Sequence, residues 1–433
     1  MKVGGARVVK MTVAEAEQIK TRLEKELEGH GPDAQVTTLD ISLRVWQEDN
    51  LNVLKDFFTE KVVPTIRYLN MDDVIASLPT EIGLKTIQVI VDIFKDAKHL
   101  ERLDANDNAL GERAAEIMRP LFSLPTLKSL SLSNCGMSIA VAKILVDSLL
   151  PKGREESSLT HLDMCRNQMS AEGAEELSKI VQVSPNLVYF SYSGCRALKK
   201  GTKSLISTFA EVVEKRGELK LQSLMLNDTG DFGTGEGEND SIDILLRVLP
   251  SCPHLQYLDL TDGGFGPEGT AKVIQAIQES GAQLKMLGLG GVDMREDGEE
   301  SGVEALVEFL ASDQCAGLEE IILDTNEFEG EGTATVIAAL AKLLELRKVS
   351  IQDNLIDEAG ADALLEHKIP NLEVLNLIGN DEIPEEQAKQ LLRMYKGKQV
   401  LLDDDIITEE DEEEDQDEDV DNLADVLQKQ SIS

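Results

Sequence analysis

The sequence predicts an α/β solenoid shaped as a horseshoe, with parallel strands on the concave side and helices on the convex side. One short apolar motif recurs along the 433 residues, and a segment with helical spacing follows each copy. Hydrophobic residues make up 42% of the chain but aromatic residues only 4%, so the core must be mainly aliphatic. Stacked strand–helix units have this periodicity, because no single unit can bury its own apolar face.

The recurring motif approximates L-x-x-L-x-L-x-x-N/C-x-L, the pattern of leucine-rich repeats. Two weaker copies begin at Val36 and Ile66, and clear copies begin at Leu100, Leu127, Leu159, Leu187, Leu221, Leu255, Leu284, Leu318, Leu346 and Leu372. Successive copies start 26 to 34 residues apart. After each strand motif, apolar residues recur at three- and four-residue intervals, as in SAEGAEELSKIVQV, which predicts one helix per repeat. Asn or Cys at the ninth position, as in Cys135 and Cys195, is expected to face inward and satisfy backbone groups.

Three regions follow from these patterns. Residues 1–35 contain AEAEQIKTRLEKEL and are predicted to form a helical cap. Residues 36–400 form the array of about twelve repeats. Residues 401–433 are predicted to be a disordered tail, because positions 401–421 contain fourteen acidic residues and no basic one. A short amphipathic segment, NLADVLQKQSIS, ends the chain.

The formal net charge of −39 indicates which partners to expect. An acidic surface repels phosphate backbones and anionic lipids, so the sequence favours basic proteins over nucleic acid or membranes. No apolar run is long enough for a signal peptide or a membrane span. Five widely spaced Cys indicate a reducing compartment such as the cytoplasm. Neither a metal-ligand cluster nor a catalytic triad spacing is present, so no cofactor is predicted.

The stretch GFGPEG, residues 264–269, matches the G-x-G-x-x-G pattern of dinucleotide-binding turns. Its glycines occupy the strand–helix turn of the Leu255 repeat, and other repeats carry related turns such as NEFEGEGTAT. Glu268 would also direct a negative charge toward a phosphate. The pattern is therefore interpreted as a product of the repeat rather than a nucleotide site.

Candidate partner-binding residues lie at the fifth, seventh and eighth positions of each repeat, which are predicted to project away from the core. Three successive repeats supply Asp104, Asn106, Asp107, Ser131, Ser133, Asn134, Asp163, Cys165 and Arg166. Nothing in the packing pattern requires an Asn at the eighth position, so Asn134 is the candidate functional residue, with a solvated polar side chain as the alternative.

The segment LDANDNALGERAAEI resembles the repeat of Ran GTPase-activating proteins that carries S-D-N-A-[FL]-G. LSLSNCGMS resembles the next repeat of that family, which has an exposed Asn before the ninth position. The length of the array and the acidic tail fit the same family, and the resemblance covers nearly the whole chain. Long repeats by themselves are shared with ribonuclease-inhibitor-like proteins. The resemblance implies a ribonuclease-inhibitor-like horseshoe that stimulates GTP hydrolysis by Ran and so supports nucleocytoplasmic transport.

The resemblance also implies roles for residues and partners. Asn134 matches the family residue that positions the catalytic glutamine of the GTPase. GTP and Mg²⁺ would belong to Ran, so the chain would be an activator rather than an enzyme with its own substrate pocket. The implied partners are the GTP form of Ran and a Ran-binding protein. The implied location is the cytoplasm, with concentration at the nuclear envelope.

One departure from the family affects the site. The family has an important Arg in the loop thirty residues before the Asp of S-D-N; here that position is Ser77, or Leu78 with a one-residue gap. Glu81 and Ile82 fit the Glu-Ile that follows in the family. Arg67 or another nearby cation could substitute, or the chain could bind Ran with weak activity. The alternative from another class is an acidic chaperone or scaffold that binds basic proteins such as histones.

Overall fold

A computed structural model describes residues 1–3, 9–31, 33–75, 77–150, 156–235, 240–295 and 298–403. Its main sheet has thirteen strands arranged in chain order, and every neighbouring pair is parallel. These strands are β2 (Thr38–Asp40), β4 (Tyr68–Asn70), β5 (Arg102–Asp104), β6 (Ser129–Ser131), β7 (His161–Asp163), β8 (Tyr189–Ser191), β9 (Ser223–Met225), β10 (Tyr257–Asp259), β11 (Met286–Gly288), β12 (Glu320–Ile322), β13 (Lys348–Ser350), β14 (Val374–Asn376) and β15 (Gln399–Leu401). The predicted fold class, a solenoid of leucine-rich repeats, is confirmed.

One helix follows nearly every strand, as the three- and four-residue spacing predicts. The helices are α1 (Val13–Gly29), α2 (Glu48–Phe57), α3 (Thr80–Phe94), α4 (Gly111–Phe122), α5 (Ile139–Leu149), α6 (Ser170–Gln182), α7 (Leu198–Arg216), α8 (Ile242–Val248), α9 (Gly266–Ser280), α10 (Ser301–Leu310), α11 (Gly330–Leu340), α12 (Glu358–Glu366) and α13 (Glu385–Met394). Each of the helices α2 to α13 packs against the next one along the chain, which makes a continuous outer layer.

The leucines of the motif align from strand to strand and fill the space between sheet and helices. Leu103 pairs with Leu130, and Leu130 pairs with Leu162. All three are at most 1% exposed. Burial of a leucine side chain contributes about 2 kcal/mol, and the same contact recurs in every repeat. This register places the third and fifth residues of each repeat on the concave side, because side chains alternate along a strand.

The N-terminal segment covers the first edge of the sheet. The backbone of Asp40 in β2 bonds to Met1 and Val3, and β1 (Val9–Lys10) pairs with β3 (Arg44–Val45) beside it. The predicted cap helix is α1, which starts at a capping box formed by Thr12 and Glu15. This arrangement satisfies backbone groups that an open edge would leave exposed.

The opposite edge ends with β15. The side chain of Asp403 accepts a hydrogen bond of 2.7 Å from the backbone N–H of Gly379 and ties this strand to the preceding turn. The sheet therefore extends one residue beyond position 400, where the sequence places the end of the array. The predicted disordered tail lies, from position 404 onward, outside the described residues.

The GFGPEG stretch forms the turn that leads into α9. Gly264 and Gly266 have positive φ angles of 57° and 71°, a conformation that costs glycine little. A Cβ at Gly269 would lie 3.0 Å from Ile242 and 3.1 Å from Phe265. Each glycine thus has a local role in the turn or in packing, which agrees with the interpretation from the repeat.

Candidate interaction surface on the concave face

All strands of the main sheet run in the same direction, so equivalent repeat positions form rows. The second and third positions lie toward the N-terminal edge of the sheet. The seventh and eighth positions follow the strands and lie along the C-terminal edge. Asn134 and its neighbours in the adjacent repeats, Asp107 and Arg166, are exposed on this C-terminal edge.

The eighth position of all twelve repeats has a left-handed backbone, with φ between 49° and 76°. In all of these repeats except the last, the N–H of the eighth residue donates to a backbone carbonyl of the next repeat; the N–H of Asn134, for example, donates to the carbonyl of Cys165 at 2.9 Å. Gly, Asn and Asp tolerate this conformation best. They occupy nine of the twelve positions, and the exceptions are Leu43, Arg166 and Thr325. Packing thus does not require an Asn at position 134, but the backbone conformation favours Asn there, as it favours Asp or Gly.

The side chain of Asn134 is held by the preceding repeat. Its Nδ2 donates a hydrogen bond of 2.8 Å to Oδ1 of Asp107 in the preceding repeat. This bond fixes the orientation of the amide and directs the carbonyl oxygen away from Asp107. Asn134 thus presents a fixed hydrogen-bond acceptor at the edge of the concave face.

Two of the nine predicted partner-facing positions are not accessible. Asp104 is 4% exposed and Ser133 is 5% exposed. Asp104 lies beneath Arg102, whose guanidinium donates to both carboxylate oxygens at 2.7 to 3.0 Å, and it also accepts from the hydroxyl of Tyr68 at 2.7 Å. The hydroxyl of Ser133 lies 2.7 Å from Sγ of Cys165 in the next repeat. Fifth and seventh positions face the concave side as predicted, but neighbouring strands and their larger side chains cover these two.

The remaining polar residues form a network between the strands. Oδ1 of Asn106 accepts from the hydroxyl of Ser131 at 2.7 Å and from the N–H of Ser133 at 2.7 Å. The same hydroxyl of Ser131 lies 3.1 Å from Oδ2 of Asp163. The N–H of Asn106 donates to Asp72. Burial, with smaller contributions from Asp104 and Asp107, raises the pKa of Asp72 to about 6.

Arg166 extends from the next eighth position and is exposed, with no ion-pair partner among the described residues. Its φ of 54° is uncommon for a long side chain, and Arg196 in the following turn has a φ of 55°. The C-terminal edge therefore changes from acidic at Asp107 to basic at Arg166 within two repeats.

The segment around Ser77 and the start of α3 contains ion pairs. Ser77 is exposed, and Glu81 at the start of α3 accepts a bidentate interaction from Arg113, with N–O distances of 2.7 and 3.3 Å. Arg67 lies at a second position, on the N-terminal edge, where it pairs with Glu101. Arg67 is thus on the edge opposite Asn134, whereas Arg113, in the first turn of α4, lies beside Glu81.

The third position carries residues that the sequence analysis did not single out. Arg102 lies 4.5 Å above the ring centroid of Tyr68, and the rings of His161 and Tyr189 stack with centroids 6.2 Å apart. Between these pairs, Ser129 leaves a depression of about 300 Å³. Three of the five tyrosines, Tyr68, Tyr189 and Tyr257, occupy third positions. Because Tyr and Arg are typical of interface centres, this enrichment could have identified the third positions as candidate partner-binding residues from the sequence.

The later repeats have an acidic C-terminal edge. The exposed carboxylates there are Asp228, Asp262, Asp293, Glu327 and Asp353. Burial and the neighbouring charges of Asp228 and Asp259 raise the pKa of Asp262, and burial together with Asp231 raises the pKa of Asp293. Carboxylates that disfavour each other's ionisation are stabilised by an approaching cation.

Other kinds of site were sought within the described ranges. No three His, Cys, Asp or Glu side chains there are grouped so that they could hold a metal ion. None of the helices in the described ranges is long and apolar enough to cross a bilayer. All five cysteines are free; Cys135 and Cys195 face inward as predicted, and burial raises the pKa of each thiol to about 12.

Comparisons with known proteins agree with the repeat architecture. A family model described as "Leucine Rich repeat" matches residues 156–178 and 251–272. The ribonuclease inhibitor of Sus scrofa is 23% identical over 318 residues, which cover 66% of this chain and 66% of that protein. The ribonuclease inhibitor of Mus musculus is 25% identical over 236 residues, 49% of each chain.

Two further similarities are more distant. The NACHT, LRR and PYD domains-containing protein 5 of Mus musculus is 23% identical over 39% of this chain and 16% of its own length. A chain in the crystal structure of the yeast Rad7 and Elc1 complex aligns over 92% of this chain and 90% of its own length, with 15% identity and a TM-score of 0.43. The chain thus spans just under two thirds of the first of the curated relatives and half or less of the other two.

Proposed function

From the premise that the chain is a leucine-rich repeat protein, we propose that it is a GTPase-activating protein for Ran, with Asn134 entering the site of the GTPase. The observation that carries this proposal is the fixed amide of Asn134 on the C-terminal edge, held by Asp107 at 2.8 Å. Leucine-rich repeat proteins bind other proteins over an extended face, and the acidic edge of this chain suits a basic partner.

The chemistry belongs to the GTPase. Its Mg²⁺, phosphate loop and glutamine surround GTP, and the glutamine must orient the attacking water. Oδ1 of Asn134 would accept a hydrogen bond from the glutamine amide and fix its orientation. One N–H of Asn134 Nδ2 is bonded to Asp107, so Oδ1 and the second N–H are available to a partner. In this proposal Asp107 is a positioning residue, and Arg166, one repeat away, supplies a positive charge toward the partner.

The decisive test separates the backbone role of Asn134 from its side-chain role. Asn134→Gly keeps the left-handed turn without strain, whereas Asn134→Ala adds strain of about 1 kcal/mol. Both variants are expected to stimulate single-turnover GTP hydrolysis by Ran about a hundredfold less than the parent chain, because both lose a transition-state contact worth ~3 kcal/mol.

The matched control is Thr325→Gly, which makes the same kind of change at an uncharged eighth position of a distant repeat, where φ is 53°, and should leave stimulation unchanged. Full activity of Asn134→Gly would refute the assigned role, since that variant lacks the amide but retains the turn. Failure of the parent chain to stimulate hydrolysis at substoichiometric concentration would refute the proposed function itself.

A second arm addresses the missing Arg. Ser77→Arg restores a cation at the exposed loop position, and Ser77→Ala removes only a hydroxyl. If the loss of this Arg has lowered the activity, Ser77→Arg should raise it and Ser77→Ala should have no effect. Arg113→Ala then tests whether Arg113 supplies that charge instead. If it does, Arg113→Ala should lower the activity of the parent chain but not that of the Ser77→Arg variant.

A different candidate function is supported by the acidic edge of the later repeats. Asp228, Asp262 and Asp353 could bind a basic protein such as a histone, without any role for Asn134. Replacement of all three by Asn should then weaken histone binding most at low salt, where exposed charges are least screened. Equal histone affinity of the triple variant and the parent at every salt concentration would remove this candidate.

A further inference from the structure

The depression over Ser129 lies in the row of third positions on the concave face. In this row Arg102 stands on one side of Ser129 and His161 on the other, because the strand register aligns the three residues. Ser129 has the smallest side chain of the three and leaves a space of about 300 Å³. The space can admit one long side chain from outside.

The groups around the space carry one more carboxylate than cation. Arg102 is neutralised by its bidentate contact with Asp104. Asp163 has no such partner: one of its oxygens lies 3.1 Å from the hydroxyl oxygen of Ser131, the other accepts from the N–H of Cys165, and no cation pairs with it among the described side chains. Burial and Arg102 lower the pKa of His161, which therefore adds no positive charge at neutral pH.

The aromatic rings complete the lining. The ring of His161 stacks on Tyr189, with an angle of 14° between the planes, and Ser129 is the neighbour of His161 in the strand on the other side. Tyr189 and Asp163 both line the depression, and burial together with the charge of Asp163 raises the pKa of Tyr189 to about 12. An aromatic face beside a carboxylate is a favourable environment for a guanidinium or ammonium group.

The same face already contains an occupied version of this arrangement. The guanidinium of Arg102 lies 4.5 Å from the ring centroid of Tyr68 and bonds to the carboxylate of Asp104. Asp163 and Tyr189 provide the same two kinds of group, two repeats after Asp104 and four repeats after Tyr68, and no cation in the described part of the chain pairs with Asp163.

We propose that the Ser129 depression binds a lysine or arginine side chain of a partner protein, with Asp163 as the carboxylate and the rings of His161 and Tyr189 as its wall. The site is distinct from the C-terminal edge and does not depend on the identity of the partner or on the proposed GTPase activity. It would anchor a basic partner at the middle of the concave face, while the edge residues determine its orientation.

The test uses the full chain and small probes, with no GTPase present. N-acetyl-arginine methylamide is titrated while the ring resonances of His161 are followed by NMR; the chain has five His, and His161→Gln assigns the signal. Saturable shifts in the millimolar range are expected. The neutral isostere N-acetyl-citrulline methylamide should bind at least tenfold more weakly, since only the charge differs.

Two variants locate the site. Asp163→Asn keeps the shape of the side chain and should weaken binding of the arginine probe about tenfold. Ser129→Arg fills the depression with a guanidinium of the chain itself and should abolish binding. Asp353→Asn, which removes a carboxylate far along the sheet, is the control and should bind normally.

Three results would overturn the proposal: no saturable shift with the arginine probe, equal binding by Asp163→Asn and the parent, or preferential binding of N-acetyl-glutamate methylamide. The last would identify Arg102 as an anion site. Because Ran is absent from the titration, none of these results bears on whether the chain stimulates GTP hydrolysis.

Discussion

The eighth position of each repeat shows how one backbone angle constrains a residue choice. Nine repeats have Gly, Asn or Asp at this left-handed position, whereas Arg166 and Thr325 adopt φ angles of 54° and 53° with side chains that fit poorly there. Such strain costs on the order of 1 kcal/mol for a residue other than Gly. A strained arginine without an ion-pair partner in the described part of the chain fits a residue retained for contact with a partner rather than for stability.

Arg166→Asn is therefore expected to stabilise the fold by about 0.5–1 kcal/mol, because Asn tolerates the left-handed conformation better. The measurement is the free energy of unfolding in urea. Arg196→Asn and Thr325→Asn relieve similar angles and should act in the same direction. Asp353→Asn starts from a residue already suited to its φ of 49° and should be neutral. A destabilised Arg166→Asn would mean that the guanidinium contributes more to the fold than the backbone strain costs.

At the scale of the structural element, the ninth position links each strand–helix turn to its neighbours. Oδ1 of Asn167 accepts from the N–H groups of Cys135 and Met137, and its Nδ2 donates to carbonyls in two repeats at 2.8 to 3.2 Å. Asn108, Asn326 and Asn354 make equivalent sets of bonds. Five backbone groups thus depend on one amide. Without it, these groups would be buried in the turn with no hydrogen-bond partner.

Asn167→Ala is expected to lower the free energy of unfolding by about 3 kcal/mol, since buried donors and acceptors lose their partners. Asn167→Cys should cost less, because Sγ of Cys135 bonds to the carbonyl of Ala105 at 3.1 Å from the same position of its own repeat. The control is Asn371→Ala, which removes one exposed bond to the carbonyl of Leu344 and should change stability by less than about 0.5 kcal/mol. Equal losses at Asn167 and Asn371 would contradict the structural role of the ninth position.

At the scale of the whole molecule, the two ends of the sheet are closed differently. Residues Met1 to Val3 and α1 cover the first edge, whereas β15 forms the last edge and brings Val400 and Leu402 against the core. In a solenoid, stability is a sum over units and their interfaces, so a terminal unit protects the apolar surface of the one before it.

Two truncations test where the folded array ends. Removal of residues 404–433 should leave the unfolding midpoint unchanged, because β15 and the Asp403–Gly379 bond remain. Removal of residues 399–433 should lower the midpoint, because β14 becomes the edge and apolar side chains beneath it are exposed to water. A large loss in the shorter truncation would show that the acidic tail itself stabilises the array.

The sequence by itself determined the repeat register, the strand–helix order, the inward position of the leucines and ninth-position residues, and the rows of residues on the concave face. These features follow from the motif and its recurrence along the chain, which can be read without knowing which side chains are in contact. Tertiary structure decided what those rows contain. The burial of Asp104 and Ser133, the left-handed turn at Asn134 and the depression at Ser129 each depend on side chains about thirty residues apart in the chain that neighbouring strands bring together. The side chains that meet between two repeats differ from one pair of repeats to the next. The motif therefore does not predict these contacts, and only the tertiary structure shows them.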